Sequence, residues 1–201
     1  GAATTIVTDD LTTSKALVSD ANGKVAASDI TSTELGYLDG VTSSIQTQLD
    51  SKISAGLVSV TENSNTGYRL ASANASNHGD IGDGGLDLSY QPSASTTTGS
   101  TGDYSTAMGY ETTASGGSST AMGNNTSTSG GNSTAMGYFT TASGLNSTAM
   151  GSNTTASDYS STVIGQYNSS GSTATSATSF DTLAPAFVIG NGADAANKSD
   201  A

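Results

Sequence analysis

Between Ser105 and Gly165 the apolar positions return every fourteen residues. Met108, Met122, Met136, Met150 and Ile164 stand in one series, and Ala107, Ala121, Ala135, Ala149 and Val163 in the series beside it. Both belong to one phrase, Ser-Thr-Ala-Met-Gly, which opens at Ser105, Ser119, Ser133 and Ser147 and closes altered as Ser161-Thr-Val-Ile-Gly165. A polar phrase fills the interval: Thr-Thr-Ala-Ser-Gly at Thr112 and Thr140, Thr-Ser-Thr-Ser-Gly at Thr126, and Thr-Thr-Ala-Ser at Thr154. A fixed period marks an architecture made by stacking. Fourteen residues are too few for two helices and a turn, but they fit two short strands joined by tight Gly and Asn turns. Each repeat therefore reads as one coil of a β-solenoid, with coils about 4.8 Å apart.

Alternation along a strand puts Thr106 and Met108 on one face and Ser105, Ala107 and Gly109 on the other. A coil this thin encloses only small side chains, so the alanine series is the expected filling and the methionine series needs cover from outside. An apolar stripe running the length of a monomer is an association site, and three copies meeting on an axis bury it. The expected assembly is a homotrimer with Met108, Met122, Met136, Met150 and Ile164 at its interface.

Upstream the period changes. Thr31-Ser-Thr-Glu34 has the form of a capping box and predicts a short helix or turn. After Gly36 and Gly40, Val41, Ile45, Leu49 and Ile53 recur every four residues and predict a helix over 41–53. A helix of that length is marginal alone in water, so these four are expected to pack against two other copies on the trimer axis. Short β segments are expected in 1–24, where Ile6-Val7 and Leu17-Val18 alternate with polar turns and Asp20-Ala-Asn-Gly23 is a turn signal. Leu57-Val-Ser-Val60 and Leu86-Asp-Leu-Ser-Tyr90 read as strands, with 74–85 as loop. Beyond Gly165 the next matching phrase, Phe187-Val-Ile-Gly190, comes twenty-five residues on, one coil plus an insertion of eleven placed within 169–182. The organisation expected is a stalk over 1–54, a transition β region over 55–98 and a roll-shaped head over 99–201.

The repeated Ser-Thr-Ala-Met-Gly and Thr-Thr-Ala-Ser-Gly resemble the head repeat of the trimeric autotransporter (YadA-like) adhesins, whose usual form is Ser-Val-Ala-Ile-Gly followed by small residues and Ala-x-Gly. The likeness runs from Asp103 to about Gln166, roughly a third of the chain. It departs in having Thr for the usual Val at Thr106, Thr120, Thr134, Thr148 and Thr162, and Met for Ile at four positions. The resemblance implies a left-handed parallel β-roll, three of which associate into a head. Thr33 to Lys52 is similar to a module of phage tail fibres and fibre-like bacterial surface proteins. Ala184-Pro-Ala-Phe-Val-Ile-Gly-Asn-Gly192, with Asn197-Lys-Ser-Asp200, resembles the sequence that often follows such heads. That likeness implies a distal domain carrying an intramolecular chaperone beyond Ala201, with Gly1 and Ala201 as the ends of a fragment.

Hydrophobic residues make up 33% of the chain, too few for a single oily core, and the strict period is what separates this composition from a disordered one. The net charge is −12, and between Ala71 and Asn197 eight acidic residues are joined by no Lys or Arg. Nucleic acid is thereby excluded as a partner, because cations supply that affinity. Attraction to anionic membranes fails for the same reason, and no apolar run is long enough for membrane insertion. The absence of Cys suits an extracellular fibre held by backbone ladders. His78 is the single histidine, so no histidine pair builds a transition-metal site or a serine triad. Neither catalysis nor a cofactor is expected. Asp80, Asp83 and Asp87 are weak calcium candidates by their close spacing, but their motif occurs once, out of phase with the coils, as an acidic turn would. Asn74, Asn125, Asn132, Asn146 and Asn153 each open an Asn-x-Ser/Thr triplet and read as turn residues rather than glycosylation acceptors.

Tyr110, Tyr138 and Phe139 follow the Gly of alternate coils and are candidate receptor contacts, since aromatic faces on a polar surface stack on sugars or anchor a protein partner. The alternative is that they lie over the roll as packing cover. An ice-binding solenoid needs rows of Thr-x-Thr, which within the repeats occurs only at Thr126 to Thr128. The chain thus reads as an all-β-dominated, non-enzymatic fibre segment: a homotrimeric left-handed parallel β-roll head of fourteen-residue repeats on a short helical and β stalk. By resemblance it is extracellular, on a virion tail fibre or a bacterial cell surface, and attaches to a host or target cell-surface glycan or protein. A structural spacer presenting a distal tip is the second reading, and an ice-binding β-solenoid the third.

Overall fold

The fourteen-residue repeat is one coil of a parallel β-solenoid in the computed structural model of this chain. The structure describes residues 15–201 other than 20, 24, 40, 42, 54 and 55, and leaves aside the side chains of 50, 51 and 53. The chain divides into two compact units, 1–50 and 51–201. In the first, β1 (Lys15–Ser19) and β2 (Val25–Thr31) pair antiparallel, with Gly23 between them at φ +75°. The capping box forms at α1 (Ser32–Gly36): Thr31 Oγ1 accepts the Glu34 N–H at 3.1 Å, and Glu34 Oε2 accepts the Thr31 N–H at 2.8 Å. The backbone bond from Thr31, joined by that from its hydroxyl, holds the Glu34 carboxyl below its ordinary value.

The second helix, α2 (Ile45–Ile53), is shorter than the predicted 41–53. Ser44 accepts the Thr47 N–H at 3.2 Å and takes the capping position, while the Val41 N–H donates to Leu38 O in the preceding turn at 3.1 Å. Val41 is therefore not on the helical face. Ile45 and Leu49 are, one turn apart and about half exposed. The side chain of Ile53 and the pair Ile6-Val7 lie outside the described residues.

In the second unit β3 (Leu57–Glu62) and β4 (Asn65–Leu70) form a hairpin whose two turn residues, Asn63 and Ser64, are both in the left-handed region. Parallel pairing starts from β4. The long rungs that follow are β5 (Leu86–Tyr90), β7 (Thr106–Tyr110), β9 (Thr120–Asn124), β11 (Thr134–Tyr138), β13 (Thr148–Ser152), β15 (Thr162–Gln166) and β16 (Phe187–Asn191). Two-residue strands alternate with them: β6 (Gly99–Ser100), β8 (Thr113–Ala114), β10 (Ser127–Thr128), β12 (Thr141–Ala142) and β14 (Thr155–Ala156). The long strands make a nine-stranded sheet and the short ones a five-stranded sheet, each in coil order. Register stays in phase throughout, with Met108, Met122, Met136, Met150 and Ile164 paired in succession.

Residues 57–90, read from the sequence as a transition, are the first strands of this same sheet: Asp87 pairs with Ala107 and Leu88 with Met108. The sequence missed this because these rungs lack the repeated phrase. At the other end β16 takes the next place, Ile164 pairing with Ile189, and the insertion lies between β15 and β16 as the spacing predicted.

The coil closes because its interior side chains are small. Ala107, Ala121, Ala135, Ala149 and Val163 from the long strands and Ala114, Ala142 and Ala156 from the short ones are fully enclosed. Thr112, Thr140 and Thr154 are enclosed beside them, whereas their neighbours Thr113, Thr141 and Thr155 are partly exposed. Thr126 and Thr128 are both enclosed, so the one Thr-x-Thr of the repeats faces inward and offers no outward threonine row. Gly137 has φ +130°, and a Cβ there would lie 2.0 Å from the carbonyl oxygen of Gly151 in the next coil, so only glycine fits. Asn125, Asn132, Asn146 and Asn153 stand at coil corners with φ between 52° and 60°, the left-handed turn positions that asparagine tolerates.

Candidate interaction surfaces and a buried charge cluster

The predicted interface residues of the repeats form one outward column, which the structure extends at both ends to Leu88, Met108, Met122, Met136, Met150, Ile164 and Ile189. Every member is partly or substantially exposed, Met136 by 36% and Ile189 by 44%, so among the described residues nothing closes over the column. Each rung lies about 4.8 Å from the next, which makes the stripe continuous rather than scattered.

One register step past the glycines stands the aromatic column. Tyr110 pairs with Tyr90 of the preceding rung, a ring that the sequence reading left out, and their centroids are 5.8 Å apart. Tyr138 lies two coils on, separated from Tyr110 by Asn124. It meets Phe139 edge to face at 4.6 Å and 78°. Phe139 occupies the corner that Asn125 and Asn153 fill in the flanking coils, at φ 50°. The structure therefore brings Tyr138 and Phe139 together and sets Tyr110 apart with Tyr90.

The single arginine and single histidine of the chain meet at the first rungs. Arg69 of β4 and Asp87 of β5 are register partners whose side chains are 3% and 0% exposed. Arg69 donates from Nη1 and Nη2 to the two oxygens of Glu62 at 2.9 and 3.1 Å, and from Nη2 to Gly79 O at 3.0 Å. Its Nε lies 3.6 Å from Asp87 Oδ2, which His78 Nδ1 approaches to 2.7 Å. Asp87 Oδ1 accepts the Ser89 N–H at 3.0 Å and the Ser89 hydroxyl at 2.5 Å. Burial pushes the Asp87 carboxyl up, but the bonds from His78 and Ser89 together outweigh it and hold the group below its ordinary value. Glu62 is held low chiefly by its bonds from Arg69. The available signal was a lone Arg at an inward position of the alternating Gly67-Tyr-Arg-Leu70, paired with the lone His nine residues on.

With Asp87 turned inside, the three calcium candidates do not converge. Asp80 accepts from Asn63 Nδ2 and Asp83 from the Thr66 N–H, both at the surface. Among the described residues no three His, Cys, Asp or Glu side chains are grouped to hold a metal ion, and no helix is long and apolar enough to cross a membrane.

Residues 100–126, 114–140, 129–154 and 142–168 each match the family model of the YadA head domain repeat. The stretch from 100 to 168 is thus a run of YadA-type head repeats. No curated protein and no solved structure matches the chain.

Proposed function

We infer that this chain is a segment of a homotrimeric, adhesin-like fibre that attaches to a cell surface, carried by a phage tail or by a bacterium, with the roll as its head. The observation that carries the reading is the uncovered Leu88-to-Ile189 column, in register over seven rungs. A stripe of that length on a polar surface is stabilised by burial against copies of itself about a threefold axis, and the head-repeat match supports the same assembly. Ile45 and Leu49 give α2 a second uncovered face of the same kind. Light scattering on the intact chain should return about 59 kDa, three times the 19.7 kDa of one copy, and a monomer at micromolar concentration would sink the assembly. Met136→Asp should shift that mass downward, because it brings three carboxylates together without solvent, at several kcal/mol. Ser143→Asp, off the column, should leave it unchanged.

A second reading, a spacer that only sets the distance to a distal tip, draws on the Tyr138–Phe139 contact, which is the geometry of packing cover. The two readings part at the triple variant Tyr110→Ala, Tyr138→Ala, Phe139→Ala. An attachment head loses cell binding while staying trimeric. For a spacer, the unmodified chain does not bind cells in the first place.

A further inference from the structure

We propose that the groove beside Tyr90, at the N-terminal shoulder of the roll, binds a neutral pyranose unit of a glycan. This gives the attachment reading a ligand class and a site, and takes its biological purpose from that reading. The groove encloses about 200 Å³ between the 72–78 segment and the end of β5, with Ser72, Asn74, Asn77, His78, Tyr90 and Gln91 in its lining. Its framework is fixed. His78 is tied to Asp87 at 2.7 Å, Gln91 Nε2 donates to Thr112 O at 2.8 Å, and Asn77 Nδ2 donates to Gln91 O at 2.6 Å. Asn74 Oδ1 accepts the Ser76 N–H at 3.1 Å and starts a 3₁₀ turn at Ala75–Asn77.

These bonds leave Asn74 Nδ2, Asn77 Oδ1, the Ser72 hydroxyl and the Tyr90 phenol without a partner among the described residues. The Tyr90 ring is 63% exposed and backed by Tyr110 at 5.8 Å. A pyranose presents one face of C–H groups and a rim of hydroxyls that both donate and accept. An aromatic ring takes the face, and amides and hydroxyls with unspent donors and acceptors take the rim. No carboxylate, lysine or arginine lines the groove, and Arg69 beneath it is committed to Glu62 and Asp87. Nothing there pairs a sialate or a phosphate, and a chain of net charge −12 repels both. The ligand is therefore a neutral sugar.

Saturation-transfer NMR on the intact chain, with the methyl glycosides of glucose, galactose, mannose and N-acetylglucosamine and with sialyllactose as the anionic comparison, tests this. Transfer is expected to at least one neutral glycoside and not to sialyllactose. Tyr90→Ala, which removes both the stacking face and the phenol, should weaken that binding about tenfold or more, and Tyr90→Phe, which removes only the phenol, by a smaller factor, with thermal unfolding little changed because the side chain is largely in solvent. No transfer to any neutral glycoside, transfer indifferent to Tyr90→Ala, or stronger transfer to sialyllactose would each overturn the assignment. Cell binding by the parent chain that none of the glycosides competes away rejects the sugar site and leaves the attachment reading standing. Glycoside transfer by a chain that binds no cell does the reverse.

Discussion

The coils from Thr106 to Gln166 and the rungs before them, from Leu57 to Tyr90, belong to one sheet but close their interiors in opposite ways. In the coils the long strands turn Ala or Val inward beside enclosed Thr and Ser, all small and uncharged, and the coil above and the coil below supply the walls. At β4 and β5 no regular coil lies beneath, and the same inward column holds Arg69 and Asp87, with Glu62 bonded to Arg69 and His78 to Asp87. Stacked repeats stabilise one another, but their ends must be capped individually. The cap here is a set of charges, each with a partner, covered at its edge by the antiparallel β3. Repetition therefore governs the middle of the roll, and single side chains govern its start.

The sharpest way to break that contrast is to disturb the repeated backbone itself. Gly137→Val puts a Cβ at 2.0 Å from a carbonyl of the next coil, on a residue at φ +130°, and neither atom belongs to a side chain that can move aside. The expected loss is on the order of 4 kcal/mol or more, enough to abolish cooperative unfolding of the head by circular dichroism. A variant that melts like the parent would mean that the coils are not stacked as closely as described.

At the capped end, Asp87→Leu leaves Arg69 and His78 buried without the carboxylate they share. Breaking one side of such a cluster costs about 3–5 kcal/mol. The sign of the pH effect follows from the depressed Asp87 carboxyl. Its stabilisation is fully present above the ordinary value of 3.8 and is lost as the pH falls through the lower value it has in the fold. The parent should therefore lose stability below about pH 4, and Asp87→Asn, which has no carboxylate to protonate, should show a shallower acid limb. Parallel acid limbs would remove the cluster from the account.

Where the chain repeats, its residues could be read directly. Period two sorted Ala107 from Met108, and the corner asparagines announced their left-handed turns. The capping box at Thr31 and Glu34 was legible because its chemistry is local. What could not be read depends on partners distant in sequence. Arg69 meets Asp87 only once β4 and β5 have paired, and Tyr90 joins Tyr110 only through the same register. Val41 was misplaced for a smaller reason: its four-residue spacing to Ile45 is real, but the Ser44 hydroxyl caps the start of the helix between them and leaves Val41 in the preceding turn.

The glycines give a milder test of the same contrast. Gly117 lies in the same repeat region as Gly137, but an added Cβ there would meet only Asp103 O, at 3.9 Å, and its backbone is not in the left-handed region. Gly117→Ala should be neutral or stabilise by about 0.4–1 kcal/mol, mainly by restricting the unfolded chain. Chemical denaturation read by circular dichroism checks it. A clear loss of stability would show that the corner is tighter than its open surroundings suggest.

The smallest expected effect is also the one that decides what the aromatic corner is for. Phe139 adopts φ 50°, a place where Asn125 and Asn153 sit at φ 54° in the coils on either side. Holding a bulky side chain there costs about 1–2 kcal/mol. Against that cost stands the edge-to-face contact with Tyr138, worth about 0.5–1.5 kcal/mol, while the ring remains 47% exposed and gains little from burial. The two terms nearly cancel, with strain slightly ahead. Phe139→Asn should therefore raise the melting temperature by a few degrees, corresponding to about 1 kcal/mol or less. A residue kept at such a corner despite its cost is explained by something outside the fold, so the same variant should lose part of the attachment to cells. If instead the melting temperature falls and attachment is untouched, the ring is cover for the roll, and the contact surface must be sought elsewhere on the coils.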